Sequence, residues 1–459
     1  MKIATKSSAR KAILTRRAIW RWHFYAGLFC APIVIVLSIT GTIYLFKPQV
    51  ESWLDRPYNH LYIEGPRLTV NQQVDAAVRA RPGARFKSIE VRPDPTDAAR
   101  VTISTSDSDF LVMVHPGTGQ IMKVQTPSDA PMEIVKTVHG ELLMGQAGSI
   151  LVELGAGWAI VMIVTGLVLW WPRGAQGLGG TVWPRLDLGG RIVWRDLHAV
   201  TGVWISSLAL FLLITGLPWT TVWNAGFKEV RRMTATDGRQ QEWTQSRSSE
   251  LSDAHADHMG RMAMGTSMSM TRPDLDRLVL RARSLNLPPP VSIVAPSKNT
   301  SWQSKRQWTL RSETQNRPRR VTLSLDPVTA EVIGQDGFAA KHPIDKAIAF
   351  GIAAHEGQLF GPLNQALGAL TALGLVTLSV SSWVLWWRRR PEGQLGAPER
   401  LTSEPAARGM AVALIVLGLL LPVLGASMIL VGLVERLVLR RVPVIRNWLG
   451  LTAPRNAQA

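Results

Sequence analysis

The sequence predicts an α-helical integral membrane protein carrying two α+β domains outside the membrane. Its layout is a pseudo-twofold repeat of span, domain and span, followed by a C-terminal span. Three observations predict this class. Apolar residues gather in five runs, 22–46, 149–171, 199–223, 363–387 and 410–434, each long enough to cross a bilayer core at about 1.5 Å per residue. The two long segments between runs, 47–148 and 224–362, alternate polar and apolar residues as strands do. Distinctive residues also recur at fixed spacing in the two halves of the chain.

The first element is a basic N-terminus, residues 1–21, with Lys2, Lys6, Arg10, Lys11, Arg16, Arg17 and Arg21 and no acid. Positive flanks stay inside, so this end is expected in the cytoplasm. Run 22–46 exceeds the apolar region of a signal peptide and has no small-x-small cleavage site before Lys47, so it reads as a retained anchor. Its Cys30 is the only cysteine, which excludes an intramolecular disulfide and a thiolate metal cluster. The formal charge of +18, from 51 Lys and Arg against 33 acids, would suggest nucleic acid in a soluble chain. Here the basic residues flank apolar runs, so the partner they imply is the lipid bilayer and not nucleic acid.

Alternation places 47–148 outside, 172–198 inside, 224–362 outside and 388–409 inside, with 435–459 as a tail. The inside loops are basic, with Arg173, Arg185, Arg191 and Arg195, then Arg388, Arg389 and Arg390. The tail fits badly: five spans put it outside, yet it holds Arg436, Arg440, Arg441 and Arg446. Either it is an interfacial helix, or Pro422 and Gly425 break the last span so that it re-enters.

Each outside segment opens on a helix-like stretch, Val70–Arg79 and Leu275–Ser284, and continues in strand-like runs such as "ARVTIST" and "RRVTLSL". Each also has a proline turn before a short strand, "VHPGTGQIM" and "LDPVTAEVI". A helix with an antiparallel meander is the simplest reading of each. The repeat itself is carried by polar residues. Aligning His23 with His198 brings Gly27 onto Gly202 and Thr40-Gly41 onto Thr215-Gly216. Aligning His139 with His355 matches "HGELLMG" to "HEGQLFG", and Trp170-Trp171 to Trp386-Trp387.

The arginine-rich start, the "WH…G", "TG", "H…LxG" and "WW-x-R" motifs and the proline-turn strands resemble the PepSY-associated transmembrane family. The resemblance covers roughly residues 15 to 435. It implies PepSY-like domains on the periplasmic side of a bacterial inner (cytoplasmic) membrane. It further implies a haem b protein that reduces ferric siderophores, because characterised relatives include such reductases. The first turn reads His115-Pro116 where the family has Asp-Pro.

Four histidines occupy matching places: His23 and His198 at the inner ends of spans, His139 and His355 at the outer ends. Histidine is rare near lipid and is the usual axial ligand of haem iron. A span of about 24 residues is ~36 Å long, so His23 and His139 cannot share one haem, whereas His23 with His198 and His139 with His355 can. This predicts two haems, one near each face, with Arg21 and Arg195 available to the inner propionates. The Trp pairs read as an aromatic belt, and the Thr-Gly pairs as helix-packing positions. His255, His258 and Met259, in "HADHMGRMAMGTSMSM", form a candidate soft-metal site. His60, His115 and His342 have no matching partners.

The chain has no P-loop, dinucleotide glycine pattern or His-Glu-x-x-His helix, so electrons would have to come from a cytoplasmic flavoprotein or a membrane quinol. The leading expectation is therefore an electron-transfer oxidoreductase that reduces a ferric siderophore or other ferric chelate. The alternatives are a metal or chelate transporter or binding protein without electron transfer, and a regulatory or scaffolding protein. Polar residues inside the spans would favour transport, and almost none are evident.

Overall fold

The computed structural model describes residues 2–171, 178–234, 236, 272–296, 307–398 and 408–451. The chain divides into two compact units, one of residues 1–43, 137–233 and 366–459, the other of residues 44–136 and 234–365. The helices in chain order are α1 (Lys2–Leu45), α2 (Lys47–Leu54), α3 (Val70–Arg79), α4 (Pro131–Glu141), α5 (Gly145–Trp170), α6 (Gly190–Gly216), α7 (Thr221–Met233), α8 (Leu275–Ser284), α9 (Pro343–His355), α10 (Pro362–Arg389), α11 (Arg408–Leu420), α12 (Pro422–Val434) and α13 (Pro443–Trp448).

Among the described residues, five helical stretches are long and apolar enough to cross a membrane: Arg16–Leu45, Gly145–Trp170, Gly190–Trp219, Pro362–Arg389 and Pro422–Leu439. The protein is a multi-pass helical membrane protein. Helices in lipid associate by close packing rather than by hydrophobic exclusion, and α5 is built for it. Gly155 faces Ile33, and a Cβ at Gly157 would stand 3.0 Å from Leu424. Around this face Ala26, Cys30, Trp158, Val161, Leu217 and Leu424 form the buried centre of the membrane unit.

Two predicted spans need correction. The third does not run to Trp223. Helix α6 stops at Gly216, a 3₁₀ turn over Leu217–Trp219 contains Pro218, and α7 starts afresh at Thr221. Proline lacks the N–H that a continuing helix needs. The new helix start has its own acceptor, because the Glu153 carboxylate receives Val222 N–H at 3.0 Å and Trp223 N–H at 3.1 Å. The fifth run is not one helix either. It breaks at Leu421-Pro422, and Gly418 and Gly425 lie in backbone contact, although seven residues of continuous helix would separate them by about 10.5 Å. The run is a hairpin, α11 turning back as α12, and the two glycines let the arms meet. Trp158 Nε1–H ties it to α5 through Ser427 Oγ at 3.1 Å.

The hairpin accounts for the basic tail. Leu395 N–H donates to Trp448 O at 2.9 Å, Tyr25 O–H to Leu449 O at 2.6 Å, and Arg21 to the carbonyls of Pro398 and Gly450. The tail helix α13 therefore lies against the 391–398 loop and the start of the first span.

In the other unit, strands β1 (Arg85–Glu90), β2 (Ala99–Ser104), β3 (Asp109–Val114), β4 (Ile121–Gln125), β5 (Val291–Val294), β6 (Trp308–Ser312), β7 (Val321–Leu325) and β8 (Val332–Gly337) form one antiparallel sheet. Its order is β4-β3-β2-β1-β5-β6-β7-β8. The two expected domains are thus two halves of a single body. A four-stranded meander alone would leave a bare edge at its innermost strand. Here those edges pair with each other, Ile89 opposite Ile293 and Ser88 opposite Val294. Helices α3 and α8 share the core beneath, with Val74, Val101, Ile103, Leu278, Ile293 and Leu310 all fully buried. Asp276 on α8 caps the start of α3 by accepting Val70 N–H at 2.9 Å.

Two outcomes follow from this architecture. Ile293→Ala should remove about 2–5 kcal/mol from the stability of the sheet unit, read as a lowered unfolding midpoint of the purified protein. A cysteine placed at Ala459 and another at Lys2 should share one accessibility to a membrane-impermeant maleimide. Labelling of one end alone in intact cells would refute the hairpin.

Candidate functional site

In the membrane unit, α1 and α6 bring His23 and His198 together. Their ring centroids are 6.3 Å apart and their planes meet at 89°. His23 is seated on a glycine: a Cβ at Gly166 would lie 3.2 Å from its Cε1. Its Nδ1 stands 3.0 Å from Thr165 Oγ1, and that hydroxyl donates its own proton to Val161 O at 2.7 Å, one turn back on α5. With the hydroxyl proton on Val161 O, and with the Met162 backbone as a further hydrogen-bond partner of the ring, the arrangement favours Nδ1 as the donor. His198 Nδ1 lies 3.1 Å from Leu378 O and 3.1 Å from Ser381 Oγ on α10. A carbonyl only accepts, so here too Nδ1 carries the hydrogen. The partners thereby assign one tautomer to both rings, with Nε2 unprotonated.

His139 on α4 is held in the same way. Its Nδ1 is 3.1 Å from Thr40 Oγ1, which donates to Val36 O at 2.7 Å, and a Cβ at Gly41 would lie 3.0 Å from its Cε1. The Thr40-Gly41 pair was expected to serve helix packing. It seats a histidine: the glycine makes room for the ring and the threonine accepts its proton. Thr165-Gly166 does the same for His23, and no local pattern marks it out, since the same dipeptide stands in three of the apolar runs. His355 closes α9 and belongs to the other unit, as does Asn364, whose side chain donates to Ala354 O at 2.8 Å.

The two arginines expected at haem propionates have other partners. Arg21 is buried and donates to the carbonyls of Pro398 and Gly450. Arg195 is bound to Asp196, which is fully buried and also takes two bonds from the Arg185 guanidinium at 2.7 and 3.1 Å. Each Trp pair divides its work. Trp170 Nε1–H donates to Thr181 O at 3.0 Å and Trp386 Nε1–H to Leu395 O at 2.8 Å, clamping a loop, while Trp171 and Trp387 are exposed, as belt residues are. The spans hold more polar residues than expected: Glu153 is engaged by the start of α7, and Thr40, Thr165 and Ser381 face histidines.

Three unmatched histidines have structural tasks. His115 Nδ1 accepts from Gly117 N and Thr118 N at 3.1 and 3.2 Å. In the other half Asp326 accepts from Val328 N and Thr329 N at 2.8 Å each, and those donors hold its carboxyl below the usual range. A histidine thus replaces an aspartate as the turn acceptor, in the opposite tautomer to the membrane pair. His342 caps α9 by accepting Ile344 N–H. His60, Asp94 and Asp97 bring three ligand-type atoms within 4.8 Å of one another. They are already engaged, Asp94 by Thr96 and His60 and Asp97 by His60 N–H and Arg92. The Thr96 hydroxyl, foremost, keeps the Asp94 carboxyl below its ordinary value. His255, His258 and Met259 lie outside the described residues.

The family described as "PepSY-associated TM region" matches residues 20–389. The chain belongs to this family. No curated protein matches the chain. The matched interval takes in His23, His139, His198 and His355 together with Thr40, Thr165 and Ser381.

Asp196 anchors the loop that leads into α6 and so into His198. Asp196→Ala should cost about 1–3 kcal/mol, less than a fully buried pair because both guanidiniums are partly solvated. Thermal unfolding in detergent reads this, and an unchanged midpoint would contradict the anchoring role.

Proposed function

We propose that His23 and His198 would hold the iron of a haem between them, and that the protein carries electrons across the membrane to a ferric chelate. The observation that carries this reading is the spacing of the two rings. With metal–imidazole bonds of about 2.0–2.1 Å on both sides, ring centres stand about 6.3–6.5 Å apart. The pair in this protein is 6.3 Å apart. The donor set fits the group as well: two neutral imidazoles, each with its proton on Nδ1 and its lone pair on Nε2. Helices α1 and α6 position the ligands, while α5 and α10 supply the groups that orient them.

When bound, a haem supplies one-electron transfer, and two imidazoles close its iron to oxygen. The chain's own residues hold, orient and shield. The sequence repeat extends the ligand reading to His139 and His355, so that a second haem near the other face would complete a path. Reduction of iron weakens its binding to hard oxygen ligands, so a ferric siderophore would release its metal at the sheet unit, on the periplasmic side of the inner membrane. The electron source is a cytoplasmic flavoprotein or a quinol.

The test is the haem-to-protein ratio of detergent-purified protein, from visible spectra before and after dithionite. Wild type should hold about two haems per chain, and His198→Ala about one. Loss of both, or of neither, would contradict the pairing. A colourless protein after expression with ample haem would remove the redox reading.

A further inference from the structure

The hydroxyls that face the histidines have a role that packing does not require. Serine and threonine in apolar helices commonly bond back to the carbonyl one turn earlier, and that bond alone satisfies them. Three such hydroxyls also meet an imidazole nitrogen. Thr165 bonds back to Val161 O and meets His23 Nδ1, and Thr40 bonds back to Val36 O and meets His139 Nδ1. Ser381 donates to Leu378 O at 3.1 Å and meets His198 Nδ1. The register that aligns His139 with His355 also aligns Thr165 with Ser381. The same device therefore stands at equivalent places in the two halves, serving the two members of one histidine pair.

A hydroxyl in this state is an acceptor with no proton left to offer. It fixes the imidazole as the Nδ1–H tautomer and leaves Nε2 as the only nitrogen with a lone pair. Its neutrality has a second effect. A carboxylate at this place would draw the Nδ1 proton and push the ring towards imidazolate, raising its basicity as a ligand. A hydroxyl or carbonyl does so only weakly. The acceptors Thr165 at His23 and Leu378 O with Ser381 at His198 are neutral.

We propose that Thr165 is a positioning residue that locks His23 in the Nδ1–H tautomer through a back-bonded hydroxyl acceptor, as Leu378 O together with Ser381 does for His198, and so sets the reduction potential of the group the pair holds. This rests on the haem reading for the potential but not for the tautomer. Thr165→Val keeps the shape of the side chain and removes the hydroxyl acceptor, leaving the Met162 backbone, and Thr165→Ser keeps the hydroxyl. Loss of the acceptor makes the His23 imidazole a weaker electron donor, which favours the reduced state. At a fixed applied potential the reduced-to-oxidised ratio should rise about threefold in Thr165→Val, roughly 28 mV for one electron, and return to the wild-type value in Thr165→Ser.

The tautomer is read separately, from nitrogen NMR of ¹⁵N-histidine-labelled protein prepared without haem. The wild type and Thr165→Ser should show His23 protonated at Nδ1, and Thr165→Val a reduced share of that tautomer, the Met162 backbone being the acceptor left. Should Thr165→Val fail to fold, Ser381→Ala tests the same device at His198, where Leu378 O remains and a smaller change in the same direction is expected. A haem-loaded Thr165→Val with an unchanged potential would overturn the tuning role. Wild-type His23 protonated at Nε2 would overturn the lock. A protein that binds no haem yet shows the Nδ1–H tautomer would overturn the haem reading, and the tuning role with it, while leaving the lock standing.

Discussion

An imidazole among apolar helices must find a hydrogen-bond partner, and much of the membrane unit is arranged around meeting that need. A polar group buried in hydrocarbon without an acceptor costs several kcal/mol. Helices α5 and α10 supply the acceptors for His23 and His198, and those bonds decide which nitrogen of each ring is left with a lone pair. The glycine beside Thr165 is part of the same constraint, because a ring cannot reach the hydroxyl if a Cβ stands in its way. Thr40-Gly41 shows the same pairing of a seat with an acceptor at His139.

The surrounding structure keeps this geometry in place. Small residues on α5 bring α1 and the α11–α12 hairpin close, so the helix that carries Thr165 is packed on more than one side. The Asp196 cluster fixes the loop that feeds α6, and the tail folds back onto the first span. In the other unit, joining the two meanders edge to edge removes the exposed strand that either half would present alone. Two four-stranded halves become one body with a continuous core.

The class of protein was legible in the sequence because apolar run length is a direct physical requirement of the bilayer. The strands were legible from their alternation, and His23 with His198 from the repeated motif. Three features were hidden for identifiable reasons. Pro218 and Pro422 sit in runs whose hydropathy hardly changes across the break, so run length alone concealed where α6 and α11 end. The seam between β1 and β5 joins segments about two hundred residues apart, and alternation within a strand does not name its neighbour. Thr165 looked like an ordinary small polar residue in a span. Its significance comes from a ring contributed by another helix, which no local pattern records. His115 shows the converse, since a proline turn that departs from the family pattern proved to keep its chemistry with a different side chain.

The central claim is that one iron sits between the His23 and His198 rings, whose planes are nearly perpendicular at 89°. Low-temperature electron paramagnetic resonance of the oxidised protein addresses it directly. Near-perpendicular axial imidazoles leave two iron d orbitals almost degenerate and give a strongly anisotropic low-spin ferric signal, whereas parallel rings give a rhombic one. The account predicts the strongly anisotropic signal, lost in His23→Ala. A high-spin ferric signal, or none from haem at all, would contradict it.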